Sequence, residues 1–282
     1  MSDWGKGAKN NTIGWGQGAC DNTINWGKSQ KDSSVAASWS GDTDISGCSG
    51  AAPLAQIDNL NSMSFDGTDE YIVGSDLGLG VVDKFSINGW WKYPVPPSPT
   101  IPAQQGIFNL ATAGFMDGTI AGNYPAIGLN IATHTGGNLY LDCLIDKYQL
   151  RRFLLSEPIT NIQSWRTYTI VYDGTKGTGT GANDDRFVVY INGVRPTNNP
   201  NFAGTIPTTI NLTNAMPHIG VCKKLSQADY NNGLLDEVAY FNTALTEAEI
   251  LSIYNATAVV GGVNKTADLS QLTTPPVAWY RM

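Results

Sequence analysis

The sequence predicts an all-β protein: an antiparallel β-sandwich with one short helix near its C-terminus and an extended repeat arm at its N-terminus. Strand-like segments of β-branched and aromatic residues recur along most of the chain, with Gly, Pro and Asn between them. Only 15% of the 282 residues are charged and 31 are glycine. This composition favours turns and short strands over helices.

The N-terminal arm, residues 1–50, begins with a repeat. Trp4, Trp15 and Trp26 each precede a glycine, and their period is eleven residues. Each glycine costs a helix about 1 kcal/mol, so we expect extended pieces joined by turns. Three short copies cannot bury their own indoles, because a repeat needs neighbours to complete its core. The three tryptophans are therefore predicted to be an anchor or oligomerisation element; the alternative is a flexible tail.

The charge distribution bears on partners. The net charge of −7 disfavours nucleic-acid binding. Residues 1–31 nevertheless contain four lysines and two aspartates, which suits contact with an acidic surface.

No apolar run approaches the roughly 20 residues of a membrane span, and no secretory signal is recognisable. The four cysteines lack CxxC spacing, and we expect a chain made in a reducing cytoplasm.

The second region, residues 51–258, contains the strand signals of the sandwich. In residues 85–92, Phe85 and Ile87 alternate with polar neighbours, a period typical of strands. Residues 166–172 and 186–191 are β-branched and aromatic runs, and Asn192-Gly193 after the second predicts a type I′ hairpin turn.

One helix is predicted near the end of this region. Thr246 opens Thr-Glu-Ala-Glu, a capping box in which Thr246 and Glu249 satisfy free amides at the helix N-terminus. Ile250, Leu251 and Tyr254 follow at helical spacing and lie on one face of the predicted helix.

Five segments in this order resemble the laminin-G-like jelly roll of the concanavalin A-like class. They are residues 64–72, 85–92, 165–174, 186–193 and 233–251. Together they cover about residues 62–256, and the last is similar to the closing "IDEVRIYNRALSDEEI" segment of that family. The resemblance implies a jelly roll that binds carbohydrate and, in many members, calcium.

The third region, residues 259–282, ends in a strand-like segment at 277–280. In relatives a similar strand opens the domain, whereas no match precedes Ser62 here. An exchanged strand, a permuted order and an incomplete second unit all remain open. An uncovered sheet edge invites aggregation, so we expect residues 277–280 to complete a sheet in their own or a neighbouring subunit.

Sugar binding needs an aromatic platform with polar partners beside it. Trp90 shares a strand face with Ser86, Asn88 and Lys92. The candidate glycan-binding residues are therefore Trp90, Asn88 and Lys92. The alternative places Trp90 in a second hydrophobic layer.

Calcium prefers oxygen ligands, and Asp66, Asp69 and Asp236 lie in the segments that resemble the family. These three are the candidate metal ligands. The alternative for Asp66 and Asp69 is a turn held by bonds from side chain to backbone.

The sequence predicts no enzyme. His134 and His218 lack a carboxylate motif, and no known hydrolase or nucleotide-binding pattern occurs. Asp236 and Glu237 are adjacent, but neighbours on a strand point to opposite faces and cannot flank one bond.

Trp-Gly repeats followed by a laminin-G-like domain resemble virion proteins of tailed bacteriophages. The resemblance implies a capsid decoration or fibre, assembled in the host cytoplasm. Its arm would hold other virion proteins, and its jelly roll would face cell-surface glycans. Fibre-like phage proteins are commonly trimers, so self-association is expected. The alternatives are a tail-fibre receptor-binding protein and a secreted bacterial lectin or adhesin module.

Overall fold

A computed structural model describes residues 54–93, 104–112, 127–133, 139–145, 149–155, 164–178, 185–196, 201–203, 205–224, 227–260 and 263–282. They all belong to one compact unit, Ala52–Met282. Residues 259–282, which the sequence assigned to a C-terminal tail, therefore contribute to the same unit as the jelly roll. The predicted anchor residues Trp4, Trp15 and Trp26 lie outside the described residues.

The described residues form short strands and one α-helix. The first ten strands are β1 (Gln56–Asp58), β2 (Met63–Asp66), β3 (Ile72–Val73), β4 (Gly80–Val82), β5 (Lys84–Lys92), β6 (Gln104–Thr112), β7 (Ile127–Thr133), β8 (Leu139–Ile145), β9 (Gln149–Leu155) and β10 (Arg166–Asp173). The remaining elements are β11 (Phe187–Ile191), β12 (Asn201–Ala203), β13 (Ile210–Leu212), β14 (Ala215–Ile219), β15 (Val221–Lys224), β16 (Gln227–Tyr230), β17 (Asn232–Phe241), α1 (Glu247–Asn255), β18 (Ala258–Val260), β19 (Val263–Ala267) and β20 (Ala278–Tyr280).

Two antiparallel sheets form the sandwich, as predicted. A six-stranded sheet has the order β11-β10-β5-β17-β2, with β20 also paired to β17, and a seven-stranded sheet has the order β12-β9-β8-β7-β6-β14-β3. Inward side chains of both sheets form one core, which includes Phe85 and Ile87 of β5 and Leu129 of β7. The alternation in β5 thus predicted the inward face correctly.

The outer face of the six-stranded sheet is covered by a second layer. Tyr190 and Phe241 of the sheet pack there with Ile250 and Ile253 of α1 and with Ala267 of β19. Strand β19 also belongs to a small sheet of order β1-β19-β18. The face of β5 that looked polar in the sequence is therefore an internal surface between two layers.

The prediction of a capped helix is confirmed in part, and the prediction of a hairpin turn is confirmed in full. Thr246 caps α1, and its hydroxyl and the Glu249 carboxylate form the complete capping box. Of the three residues placed on one face, Ile250 is buried and Tyr254 stacks on Trp90, whereas Leu251 is exposed and Ile253 is buried in its place. In the predicted hairpin turn, Asn192 and Gly193 both take positive φ, as a type I′ turn requires.

The C-terminal strand pairs within its own chain. In β20, Trp279 lies opposite Ala239, and Tyr280 lies opposite Val238 of β17. Strand β2 pairs with the preceding part of β17, from Asn232 to Leu235. Strands β2 and β20 therefore cover successive parts of the same edge of β17, and the segment at 277–280 completes that edge.

Candidate functional site

Strand register brings an indole and a carboxylate together on the outer face of the six-stranded sheet. Trp90 of β5 lies opposite Thr167 of β10 on one side and opposite Asp236 of β17 on the other. Trp165 precedes Thr167 by two residues, so strand alternation directs its side chain to the same face. Trp90 and Asp236 therefore come from two neighbouring strands, and Trp165 from the residue just before a third.

These residues line a cavity of about 440 Å³. Its other walls come from the loop between β1 and β2, from β19 and from Thr257, which follows α1. The lining residues are Asn59, Leu60, Asn61, Ser62, Trp90, Trp165, Asp236, Thr257, Asn264, Lys265 and Thr266. We call this cavity the indole pocket. Its volume is within the usual range of small-ligand sites, and its mixture of aromatic groups and a few polar groups is typical of them.

Trp90 forms the floor of the indole pocket. Only 8% of its surface is exposed, and its ring stacks on Tyr254 of α1 with centroids 6.1 Å apart. This stacking supports the ring from the side of α1. Trp165 is partly buried and contributes the second aromatic wall.

Asp236 is the acidic group of the pocket wall, and it is 3% exposed. Its Oδ2 accepts a hydrogen bond of 2.7 Å from Asn59 Nδ2, and its Oδ1 accepts one of 2.8 Å from the Glu237 amide. The carboxylate also accepts a hydrogen bond from the Met282 amide. Burial raises the pKa of Asp236, while these donors and Arg281 lower it.

A β-bulge follows Asp236 and corrects one prediction. Asp236 pairs with Trp90 and Ala239 pairs with Asn88, so two residues of β17 lie opposite one of β5. Glu237 takes a φ of 51°, and the bond from its amide to Asp236 stabilises this left-handed conformation. Because of the bulge, Glu237 contacts Trp279 of the outer layer, on the same side as Asp236. The expectation that the two carboxylates point to opposite faces was wrong.

Glu237 is buried behind the pocket and bound by the C-terminal strand. Its Oε2 accepts a 2.6 Å hydrogen bond from Trp279 Nε1, and its Oε1 faces Arg281 Nε at 3.3 Å. Arg281 also lies over the Trp279 ring, 5.2 Å from its centroid. Burial and the neighbouring Asp236 charge raise the pKa of Glu237 to about 7.

The structure separates the three residues proposed for glycan binding. Trp90 lines the indole pocket, whereas Asn88 is buried and its amide donates to Thr169 Oγ1 at 2.7 Å. Lys92, at the end of β5, is not among the residues that line the pocket. Asn88 and Lys92 were chosen because the sequence does not reveal that the second layer covers this face. Trp90 also packs against Tyr254 of α1, which agrees with the alternative that placed Trp90 in a second hydrophobic layer.

The three candidate calcium ligands do not form a site. Asp66 lies opposite Asn232, four residues before Asp236 on the same strand. Asp66 Oδ1 accepts a bond from the Thr68 amide, which is the turn-forming role that was the alternative. Asp69 is exposed. Within the described ranges no group of three His, Cys, Asp or Glu side chains could hold a metal ion. These residues therefore do not fit the calcium that the resemblance implied.

His218 is not among the described residues that line the pocket. His218 is buried in β14, with Nδ1 3.0 Å from the Met216 carbonyl, and burial lowers its pKa. His134 lies outside the described residues. Sequence reasoning missed Trp165, Asn59, Asn61 and Asn264 as site residues, because their proximity depends on strand pairing across long separations.

Residues 66–251 match the family described as the concanavalin A-like lectin/glucanases superfamily, of laminin-G type. The matched segment includes Trp90, Trp165 and Asp236, whereas Asn59, Asn61 and Asn264 lie outside it. A comparison with curated proteins finds no significant match. Among the described residues, no helix is both long and apolar enough to cross a membrane.

Several solved structures are similar in fold. A heptameric SAP-like pentraxin from Limulus polyphemus is 16% identical, with a TM-score of 0.48, over 73% of this chain and 90% of that one. A Bacteroides ovatus protein described as carbohydrate-binding is 13% identical, with a TM-score of 0.46, over 82% of this chain and 52% of that one. A Trypanosoma rangeli sialidase is 12% identical, with a TM-score of 0.46, over 69% of this chain and 27% of that one. At these identities the likeness concerns the fold alone.

Proposed function

The chain belongs to the concanavalin A-like lectin/glucanases superfamily, and from this premise we propose that it binds carbohydrate in the indole pocket without cleaving it. The observation that carries the proposal is the meeting of Trp90, Trp165 and Asp236 in one cavity. Pyranose rings present an apolar C–H face and a rim of hydroxyls. Indoles match the first, and carboxylate and amide groups match the second.

The same geometry supports binding without hydrolysis. Glycosidases generally place two carboxyl groups on either side of the scissile bond. Asp236 lines the pocket, whereas Glu237 is engaged behind it by Trp279 and Arg281. Among the described residues of the pocket wall, Asp236 is thus the one carboxyl group available to a ligand. One carboxyl group is insufficient for the common two-carboxylate mechanism.

Replacing Trp165 with alanine is expected to weaken glycan binding at least tenfold, because one aromatic wall of the pocket is lost. A glycan array would identify ligands of the full chain, and calorimetry would compare the affinities of both proteins. Val81→Ala is the matched control, since Val81 is exposed and lies on β4, outside the pocket lining.

Equal affinity of Trp165→Ala and wild type would contradict the proposed pocket. Release of new reducing ends from a bound glycan by the purified protein would contradict the absence of catalysis. A glycan-binding chain that releases none, and that needs Trp165, agrees with both parts of the proposal.

We further propose that the chain is a structural virion protein of a bacteriophage, with the N-terminal repeats as its attachment element. The support is the eleven-residue register of Trp4, Trp15 and Trp26 and the excess of lysine in residues 1–31. Each indole could bury on the order of 200 Å², which would contribute several kcal/mol to attachment. In this role the jelly roll would carry the glycan site away from the particle.

Removing residues 1–31 is expected to leave the free energy of unfolding and the affinity for glycans unchanged. It is expected to abolish attachment to phage particles. The test is co-sedimentation of full-length and truncated chains with purified virions of the phage that encodes the protein, with light scattering for oligomer mass. A truncated chain that still attaches and keeps its oligomeric mass would make the repeats a passive tail. Failure of the full-length chain to co-sediment would favour the secreted-lectin alternative.

A further inference from the structure

The charges of the indole pocket are unequally compensated. Of the described residues that line it, Asp236 and Lys265 are the ones that carry charge. Lys265 of β19 lies opposite Asp58 of β1 in the strand register, and its ammonium group binds the Asp58 carboxylate. The cation of the wall is thus already paired with an exposed carboxylate outside the lining.

Asp236, by contrast, retains capacity to accept a ligand hydroxyl. A carboxylate has about four acceptor positions. Three are used by the amides of Glu237 and Met282 and by Asn59 Nδ2. Since Asp236 also lines the cavity, the remaining position can serve a ligand. The guanidinium of Arg281 acts on Asp236 from outside the pocket lining, where it is held by Glu237 and by the Asp58 carbonyl.

We propose that the indole pocket selects uncharged pyranose residues over uronates, sialic acids and sulfated sugars, with Asp236 as the specificity-determining acceptor. The inference rests on the proposed carbohydrate binding. A neutral hydroxyl donates to Asp236 in a charge-assisted hydrogen bond. An anionic group in the same cavity meets the Asp236 charge and a lysine that is already paired. Juxtaposed like charges in a partly dehydrated site are strongly unfavourable.

The test compares matched neutral and acidic sugars on the full chain by calorimetry. Suitable pairs are lactose with sialyllactose, galacto-oligosaccharides with galacturono-oligosaccharides, and agaro-oligosaccharides with their sulfated counterparts. We expect the neutral member of each bound pair to bind at least tenfold more tightly. Trp165→Ala establishes for each ligand that binding occurs in the pocket.

Two substitutions test the charge argument. Asp58→Asn releases Lys265 from its ion pair, and it is expected to raise the affinity for the acidic member about tenfold while leaving the neutral member unchanged. Asp236→Asn is expected to weaken neutral binding about tenfold and to abolish the discrimination. Asp69→Asn removes the same charge from an exposed site outside the pocket lining and serves as the control.

The outcomes separate the two proposals. Acidic sugars that bind as tightly as neutral ones, in a manner that depends on Trp165, would overturn the specificity and leave the lectin function intact. An Asp58→Asn variant that gains nothing for acidic sugars would also overturn it, because this exposed side chain can be replaced without disturbing the fold. Binding that is absent across the panel, or independent of Trp165, would overturn the proposed function together with the inference.

Discussion

Removing residues 275–282 is expected to destabilise the domain by at least about 4 kcal/mol and to lower its melting temperature by more than about 10 °C. The truncation removes β20 from the edge of β17, and with it Tyr280, whose ring packs on Tyr240 with centroids 6.1 Å apart. It also leaves Glu237 buried without Trp279 and Arg281. The loss of hydrogen bonds to a buried polar group costs about 1–3 kcal/mol, and the lost packing of Trp279 and Tyr280 adds to it.

Denaturant unfolding of the truncated and full-length chains measures this effect. Val277→Ala is the control on the same segment, because the Val277 side chain is exposed and should matter little. Trp279→Phe separates packing from hydrogen bonding, since it keeps an aromatic ring but removes the donor to Glu237. We expect it to cost about 2 kcal/mol. A truncated chain within about 1 kcal/mol of full length would show that β20 is not an integral strand.

Replacing Glu237 with glutamine is expected to remove most of an unusual pH dependence of stability. The pKa of Glu237 is raised from 4.5 to about 7 in the folded chain, so the folded state holds this proton more tightly than the unfolded state. The resulting stability is fully present below the unfolded pKa and is lost as the pH rises through about 7. Between about pH 5.5 and about pH 8.5 the loss is about 2 kcal/mol, or roughly 5 °C in melting temperature.

Melting curves of wild type and Glu237→Gln across this range provide the test, and the difference between the two proteins is the quantity of interest. His218 contributes a slope of opposite sign, because its pKa is lowered and acid favours the unfolded chain. That contribution is common to both proteins and cancels in the difference. Glu70→Gln, at an exposed position, is the charge control. A Glu237→Gln variant that keeps the full wild-type slope would contradict the assignment.

The sequence predicted those features of the fold that depend on local patterns. Alternation in β5, the β-branched and aromatic runs of β10 and β11, the Asn192-Gly193 turn and the Thr246 capping box all reflect interactions between residues close in the chain. The capping box located α1, but nothing local revealed that α1 and β19 cover the six-stranded sheet. Ser86 and Asn88 therefore looked like a solvent face, although both are buried.

The candidate site was predictable only in fragments, for a related reason. Trp90 and Asp236 were each singled out, but for different ligands, and their pairing across β5 and β17 is a matter of register. The bulge at Glu237 could not be read from the sequence, because Asp-Glu is an ordinary dipeptide until its backbone adopts a positive φ. Trp165 and Asn264 are about a hundred residues apart and meet only in the folded chain.

A crystal structure of the full chain with the neutral oligosaccharide that binds most tightly tests the indole pocket most directly. We expect a sugar ring against Trp165, with one hydroxyl within about 3 Å of an Asp236 oxygen. A sugar bound on the outer face of the seven-stranded sheet, with the indole pocket unoccupied, would contradict it.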